Sequence, residues 1–131
     1  LKHRKSKRRG LAIVEFAIVL PVFVLIVMAT IESSSMIFMK QSLEIAAYEG
    51  VRTALVREAT QNNVIGSCSQ ILETRSVTGA VVTVTPNFGN LNYGEFITVS
   101  VSASCSENSL LGSWFYGGRT LVCEAEMMKE Y

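Results

Sequence analysis

The chain has no aspartate, and its single histidine, His3, lies inside an N-terminal basic run. A Ser-His-Asp or Cys-His nucleophilic arrangement therefore cannot be built from anything after residue 10. Paired-carboxylate chemistry would fall to the eleven glutamates, which are scattered over helical and strand patterns as a solvated face would place them. Cysteine is scarce too: Cys68, Cys105 and Cys123 show no C-x-x-C spacing and no neighbouring histidine, so no zinc site or other metal is expected. There is no phosphate-cradling glycine loop, and Gly117-Gly118 reads as a turn. The composition thus points away from an enzyme and implies no cofactor.

Charge is present but unevenly placed. Lys2, Arg4, Lys5, Lys7, Arg8 and Arg9 precede Gly10, whereas the remainder has six Lys and Arg against eleven Glu, a net charge of −5. From Leu11 to Ile31 run 21 residues with one charge, Glu15. At about 1.5 Å per residue such a helix spans roughly 31 Å, close to the hydrocarbon thickness of a bilayer. A basic head abutting such a span is explained by the positive-inside rule, so nucleic acid is not an expected partner. The expected division is a cytoplasmic leader at 1–10, a transmembrane helix at 11–31 and an extracytoplasmic domain at 32–131, with membrane lipid as the first partner.

Beyond the span the helical signal continues. No proline and only Gly50 interrupt Glu32 to Asn62, and Ile45, Tyr48, Val51/Arg52, Leu55 and Ala59 recur at helical spacing. One long helix is predicted from about 11 to 61, with Pro21 as a tolerated kink. Asn62-Asn63 and Gly66 are read as its break, and Ser67 with Gln70 as the capping box of a short helix at about 67–76. The period then changes. Val81 to Thr85 stops at Pro86, and Asn87 to Gly94 is rich in turn residues. Ile97, Val99, Val101, Ala103 and Cys105 alternate with polar residues, as do Leu121, Cys123, Ala125 and Met127 in part. Three strands, at about 80–85, 96–105 and 119–128, need a cover for one apolar face, and the outer half of the long helix can supply it. The predicted fold is α+β: a long helix packed on a small antiparallel sheet. Outside the cytoplasm the three cysteines allow one disulfide, whose pair the sequence leaves undetermined.

Two features invite a functional reading. Leu110, Leu111, Trp114, Phe115 and Tyr116 crowd one loop, which either tucks against the sheet or, if exposed, forms an interface. Glu15 is costly inside a membrane span, about 2.5–3.5 kcal/mol at a helix centre. If the chain is cut after Gly10, Leu11 gains a free amine. An amine–carboxylate pair at about 4 Å is worth of order 4 kcal/mol at an effective dielectric near 20, enough to offset that cost. Formed between neighbouring subunits, the pair would make Glu15 a register device for assembly. Without cleavage, Glu15 is merely tolerated in an uncleaved membrane anchor. A third possibility is export as a soluble domain, since Val27-Met28-Ala29 offers a signal-peptidase site after Ala29.

A basic leader ending in Gly10, four apolar or small residues Leu11 to Val14, then Glu15-Phe16, resembles the cleavage site of type IV prepilins. The longer run Val14 to Pro21 is similar to the TadE-like pseudopilins of Tad (tight adherence, Flp-type) pilus systems. Leu43 to Arg52, with paired Ala46-Ala47 and Glu49-Gly50-x-Arg52, resembles a second stretch of that family, which commonly has Arg where this chain has Tyr48. The resemblance implies a minor pilin-like subunit in pilus assembly and cell adhesion, single-pass in the bacterial inner membrane with its N-terminus cytoplasmic. It implies processing between Gly10 and Leu11 by a prepilin peptidase, and an assembly or maturation role for Glu15 and Phe16. The implied partners are the major pilin, other pseudopilins and the inner-membrane assembly platform.

Overall fold

The computed structural model describes residues 5–88 and 93–130. Positions 1–4 of the basic leader, 89–92 of the turn-rich segment and Tyr131 lie outside the described residues. The elements follow the order α1 (Lys5–Ala54), α2 (Gln61–Thr74), β1 (Val81–Thr85), β2 (Phe96–Ser104) and β3 (Thr120–Met128). The expected α+β arrangement is therefore present, a long helix laid on an antiparallel sheet.

Helix α1 has 50 residues, about 75 Å of continuous helix through Pro21. Its two halves live in different surroundings. Leu11 to Val27 are all exposed, and packing begins at Glu32. From there Glu32, Met36, Met39, Leu43, Ala46, Ala47, Gly50, Val51 and Ala54 are buried, a stripe at three- and four-residue spacing. The buried face is not the one that side-chain size favours. Ile45 and Tyr48, expected on it, are exposed. Small residues occupy it instead, because α1 comes close to α2 and the sheet. At Gly50 an added Cβ would lie 2.5 Å from Cys68 Sγ and 3.0 Å from Val99 Cγ1, so only glycine fits without a shift.

The expected helix limits need correction. Helix α1 ends at Ala54 rather than near 61, in a turn where Glu58 takes φ 63°. Thr60 then caps α2, its hydroxyl accepting from the Asn63 N–H at 3.4 Å. Asn62, Asn63 and Gly66, read as breakers, lie inside α2, and Gly66 is exposed with open space around it. The first helical turn has N–H groups without helical partners, where a threonine cap serves better than the breaking tendency of asparagine counts against it. Ser67 is not a cap; its hydroxyl donates back to the Val64 carbonyl at 2.9 Å. Helix α2 closes with Ser76 at φ 56° and the Val77 N–H on the Leu72 carbonyl at 2.9 Å.

The sheet is an antiparallel meander of order β1-β2-β3. Val84 pairs with Val99, Val99 with Ala125, and Val101 with Cys123. Ile97, Val99, Val101 and Ala103 are buried while Thr98, Ser100, Ser102 and Ser104 are only partly covered, so one face of β2 meets the helices. The core lies between that face, the stripe on α1, and Val64, Cys68 and Leu72 of α2. Asn108 ties the loop after β2 to the α2–β1 connection. Its Oδ1 accepts from the Thr78 N–H at 2.8 Å, and its Nδ2 donates to Thr78 O at 3.0 Å and Ser104 O at 2.9 Å.

Candidate assembly site and the loop at the end of the span

Gly10, Leu11, Glu15 and Phe16 all stand exposed on α1, far along the helix from the packed domain. Leu11 and Glu15 are one turn apart on the same face. Among the described residues Glu15 has no hydrogen bond and no ion-pair partner; the ion pairs found there are Lys40–Glu44 at 3.7 Å and Arg52–Glu49 at 3.6 Å, both at the surface. Among the described residues, then, nothing offsets the cost of a carboxylate in this apolar segment. A lipid headgroup or another subunit would supply such an offset from outside the described residues. Glu49, Gly50 and Arg52 of the downstream motif have structural work: an i,i+3 surface pair and the close helix contact at Gly50.

The three cysteines do not come together. All are free and buried. The Cys105 N–H donates to Arg119 O at 2.9 Å, so Cys105 sits opposite a residue four positions before Cys123 on the neighbouring chain segment. That offset is about 13 Å along a strand, beyond the roughly 7 Å limit for bridged Cα atoms. Cys68 Sγ donates to Ala46 O at 3.2 Å, and Cys123 Sγ to Lys40 O at 3.7 Å. Those carbonyls are about 9 Å apart along α1. The disulfide held open by the sequence is therefore not formed; each thiol caps or fills a separate place in the core. Burial pushes all three thiols above the ordinary value of 9.0, with Arg119 partly opposing this at Cys105. The raised thiol pKa values leave stability flat below pH 9.0, where both states hold the protons, and lower it as pH rises past 9.0, because the unfolded chain then ionises first. Iodoacetamide at neutral pH is expected to leave the folded protein unmodified and to add three groups after unfolding without reductant. One group added would reveal a disulfide.

Between β2 and β3 the chain forms the loop Cys105–Arg119, and here is a residue that sequence reasoning missed. Glu32 is fully buried, and its carboxylate receives backbone N–H groups from this loop. Phe115 N donates to Oε1 at 3.1 Å and to Oε2 at 3.2 Å, and Tyr116 N donates to Oε1 at 3.3 Å. The Tyr116 hydroxyl lies 3.2 Å from Ser33 Oγ, and the Arg119 guanidinium stands 5.9 Å from the Tyr116 ring centre. Left-handed turns at Gly112 (φ 86°), Ser113 (φ 63°) and Gly118 (φ 74°) fold the loop back on α1. Of the five apolar residues singled out in the loop, Leu110, Trp114 and Phe115 are exposed, while Leu111 and Tyr116 are partly buried. The loop therefore docks through its backbone and Tyr116 on the helix, not through its large side chains on the sheet. The available signal was Glu32 itself, an acid in phase with the Met36-Met39-Leu43 stripe.

Among the described residues no group of three or more His, Cys, Asp or Glu could hold a metal. Helix α1 is long and apolar enough over its first part to cross a membrane. The family model of TadE-like proteins matches residues 10–52, the segment from the glycine before the apolar run to the arginine after Gly50. No curated protein and no solved structure matches the chain.

Proposed function

We propose that this chain, TadE-like over residues 10–52, is a minor pilin-like subunit of a Tad/Flp-type pilus assembly system, acting in pilus biogenesis and adherence. A prepilin peptidase at the cytoplasmic face of the bacterial inner membrane cuts between Gly10 and Leu11. The basic leader stays cytoplasmic and residues 32–131 lie across the membrane. The mature subunit then joins the major pilin and other pseudopilins on the inner-membrane assembly platform through its apolar half-helix.

One observation carries the reading. Helix α1 presents an apolar, unpartnered half holding a single carboxylate, one turn after Gly10, and continues without a break into the domain core. A soluble exported domain would need α1 cut at Ala29, inside this helix and three residues before the buried Glu32. A plain anchor leaves the Glu15 position without a use. Deleting the coding sequence is expected to abolish or sharply reduce surface pili and adhesion, with both restored by the intact chain. Unchanged piliation in the deletion strain would overturn the proposal.

A further inference from the structure

We infer that the loop between β2 and β3 is a second membrane contact, with Trp114, Phe115 and Leu110 seated in the headgroup region of the leaflet nearest the folded domain. The inference rests on the membrane-spanning reading of residues 11–31 and adds to it a surface that the span does not include.

Three observations converge. The first is height. The apolar run ends at Ile31, and Glu32, the next residue, binds the loop backbone at Phe115 and Tyr116. Trp114 is therefore held beside the point where the helix leaves the hydrocarbon. A headgroup layer is about 5–7 Å deep on each side, within reach of a tryptophan side chain from there in either direction. The second is exposure. Leu110 is 76 %, Trp114 72 % and Phe115 48 % accessible, although the same loop buries its backbone contacts to Glu32. The third is charge. No ionisable group other than the Tyr116 phenol lies between Glu107 and Arg119, so entering an interface costs no desolvation of a formal charge. Trp and Tyr favour this layer because their rings are apolar with one polar edge.

The surface is continuous with the span. Ile37 and Phe38, past Glu32 on α1, remain exposed. A cleft of about 620 Å³ beside the loop is lined by the apolar Ile31, Phe38, Met39, Val77 and Leu110 and also by polar residues that include Thr30, Ser34, Ser35 and Arg75. The Arg75 guanidinium lies 5.8 Å from the Phe38 ring centre. A surface that passes from an apolar span through small hydroxyl residues to an exposed Trp-Phe-Leu loop fits the mixed chemistry of the headgroup layer. The loop thereby sets the tilt of the domain, through a contact on one side of the helix only.

Trp114 is the only tryptophan in the chain, so the test needs no substitution. The full chain is reconstituted in phosphatidylcholine–phosphatidylglycerol vesicles and separated by flotation. Its emission is read with lipid brominated near the ester end of the acyl chain, with lipid brominated near the chain end, and with aqueous iodide. The expected result is co-flotation, loss of most of the emission with the ester-end bromolipid, a smaller loss with the chain-end bromolipid, and weak quenching by iodide. Co-flotation with strong iodide quenching and no bromolipid effect would place the loop in water and overturn the inference while leaving the span intact. Protection from both quenchers would mean that a second protein copy covers Trp114, which also overturns it. Failure to float would refute the membrane span first, and the loop contact with it.

Discussion

Glu15→Gln is expected to stop the chain from entering a pilus assembly while leaving its level, its membrane insertion and its folded domain unchanged. Among the described residues Glu15 has no hydrogen bond or ion pair, so the substitution removes neither there. Insertion does not suffer, because a neutral amide is no costlier than a carboxylate in an apolar segment. The loss falls on the partner. If a neighbouring subunit brings a free Leu11 amine to this position, glutamine leaves that cation without its counter-charge in a low-dielectric setting. Removing one member of a buried pair costs about 3–5 kcal/mol. That is about a hundredfold or more in the equilibrium for joining a subunit. Glu15→Asp keeps the charge on a shorter arm and is expected to retain part of the activity. Surface pili counted by microscopy, with membrane levels measured by immunoblot, check both. Normal piliation by the glutamine variant at normal levels would end the pairing idea.

Glu32→Ala is expected to produce the largest loss of stability from a single side chain near the span. The carboxylate is the acceptor for the Phe115 and Tyr116 N–H groups, and alanine takes that acceptor from both in a part-buried site. An orphaned donor costs about 1–3 kcal/mol when fully buried, so for two part-buried donors a loss in the lower part of the summed range, about 2–4 kcal/mol, is expected. Glu32→Gln retains one carbonyl acceptor and should fall between the two. Denaturant unfolding of the detergent-solubilised chain measures the difference. Amide exchange at Phe115 and Tyr116 should accelerate even where the rest of the core holds. Equal stability and unchanged exchange in Glu32→Ala would mean that the loop is held by other contacts.

The two substitutions separate two uses of one helix. Glu15 lies on the half that offers its surface to the outside, Glu32 on the half that organises the chain's own domain. The change occurs within a single turn, at Ile31–Glu32, where exposure gives way to burial. The same carboxylate chemistry serves both. Near the N-terminus, on the proposed reading, the donor would come from another molecule; at Glu32 the donors come from a loop more than eighty residues away in the chain.

That distance explains what the sequence could and could not reveal. Period-two alternation from Ile97 to Cys105 is a local signal, and β2 lies where it predicts. The apolar run from Leu11 to Ile31 is equally local. Helix limits were harder, because Asn62, Asn63 and Gly66 disfavour helix as residues yet sit in a helix whose buried side, Val64, Cys68 and Leu72, anchors it to the core. Packing overrode propensity there. On α1 the largest apolar residues misled. Close approach to α2 selects Ala46, Ala47 and Gly50 for the inner face and leaves Ile45 and Tyr48 outside. Glu32 gave no local sign of its partners, since two backbone N–H groups have no sequence signature. The cysteines on their strands carried the right apolar parity, but their register placed them too far apart to bridge.

The account stands most directly on the N-terminus of the mature protein. Intact mass and N-terminal sequencing of the chain isolated from the membrane fraction of its own cells should give a terminus at Leu11, with the basic leader gone and the free amine one turn from Glu15. A chain retaining the leader through Gly10, or one beginning at Thr30, would contradict it.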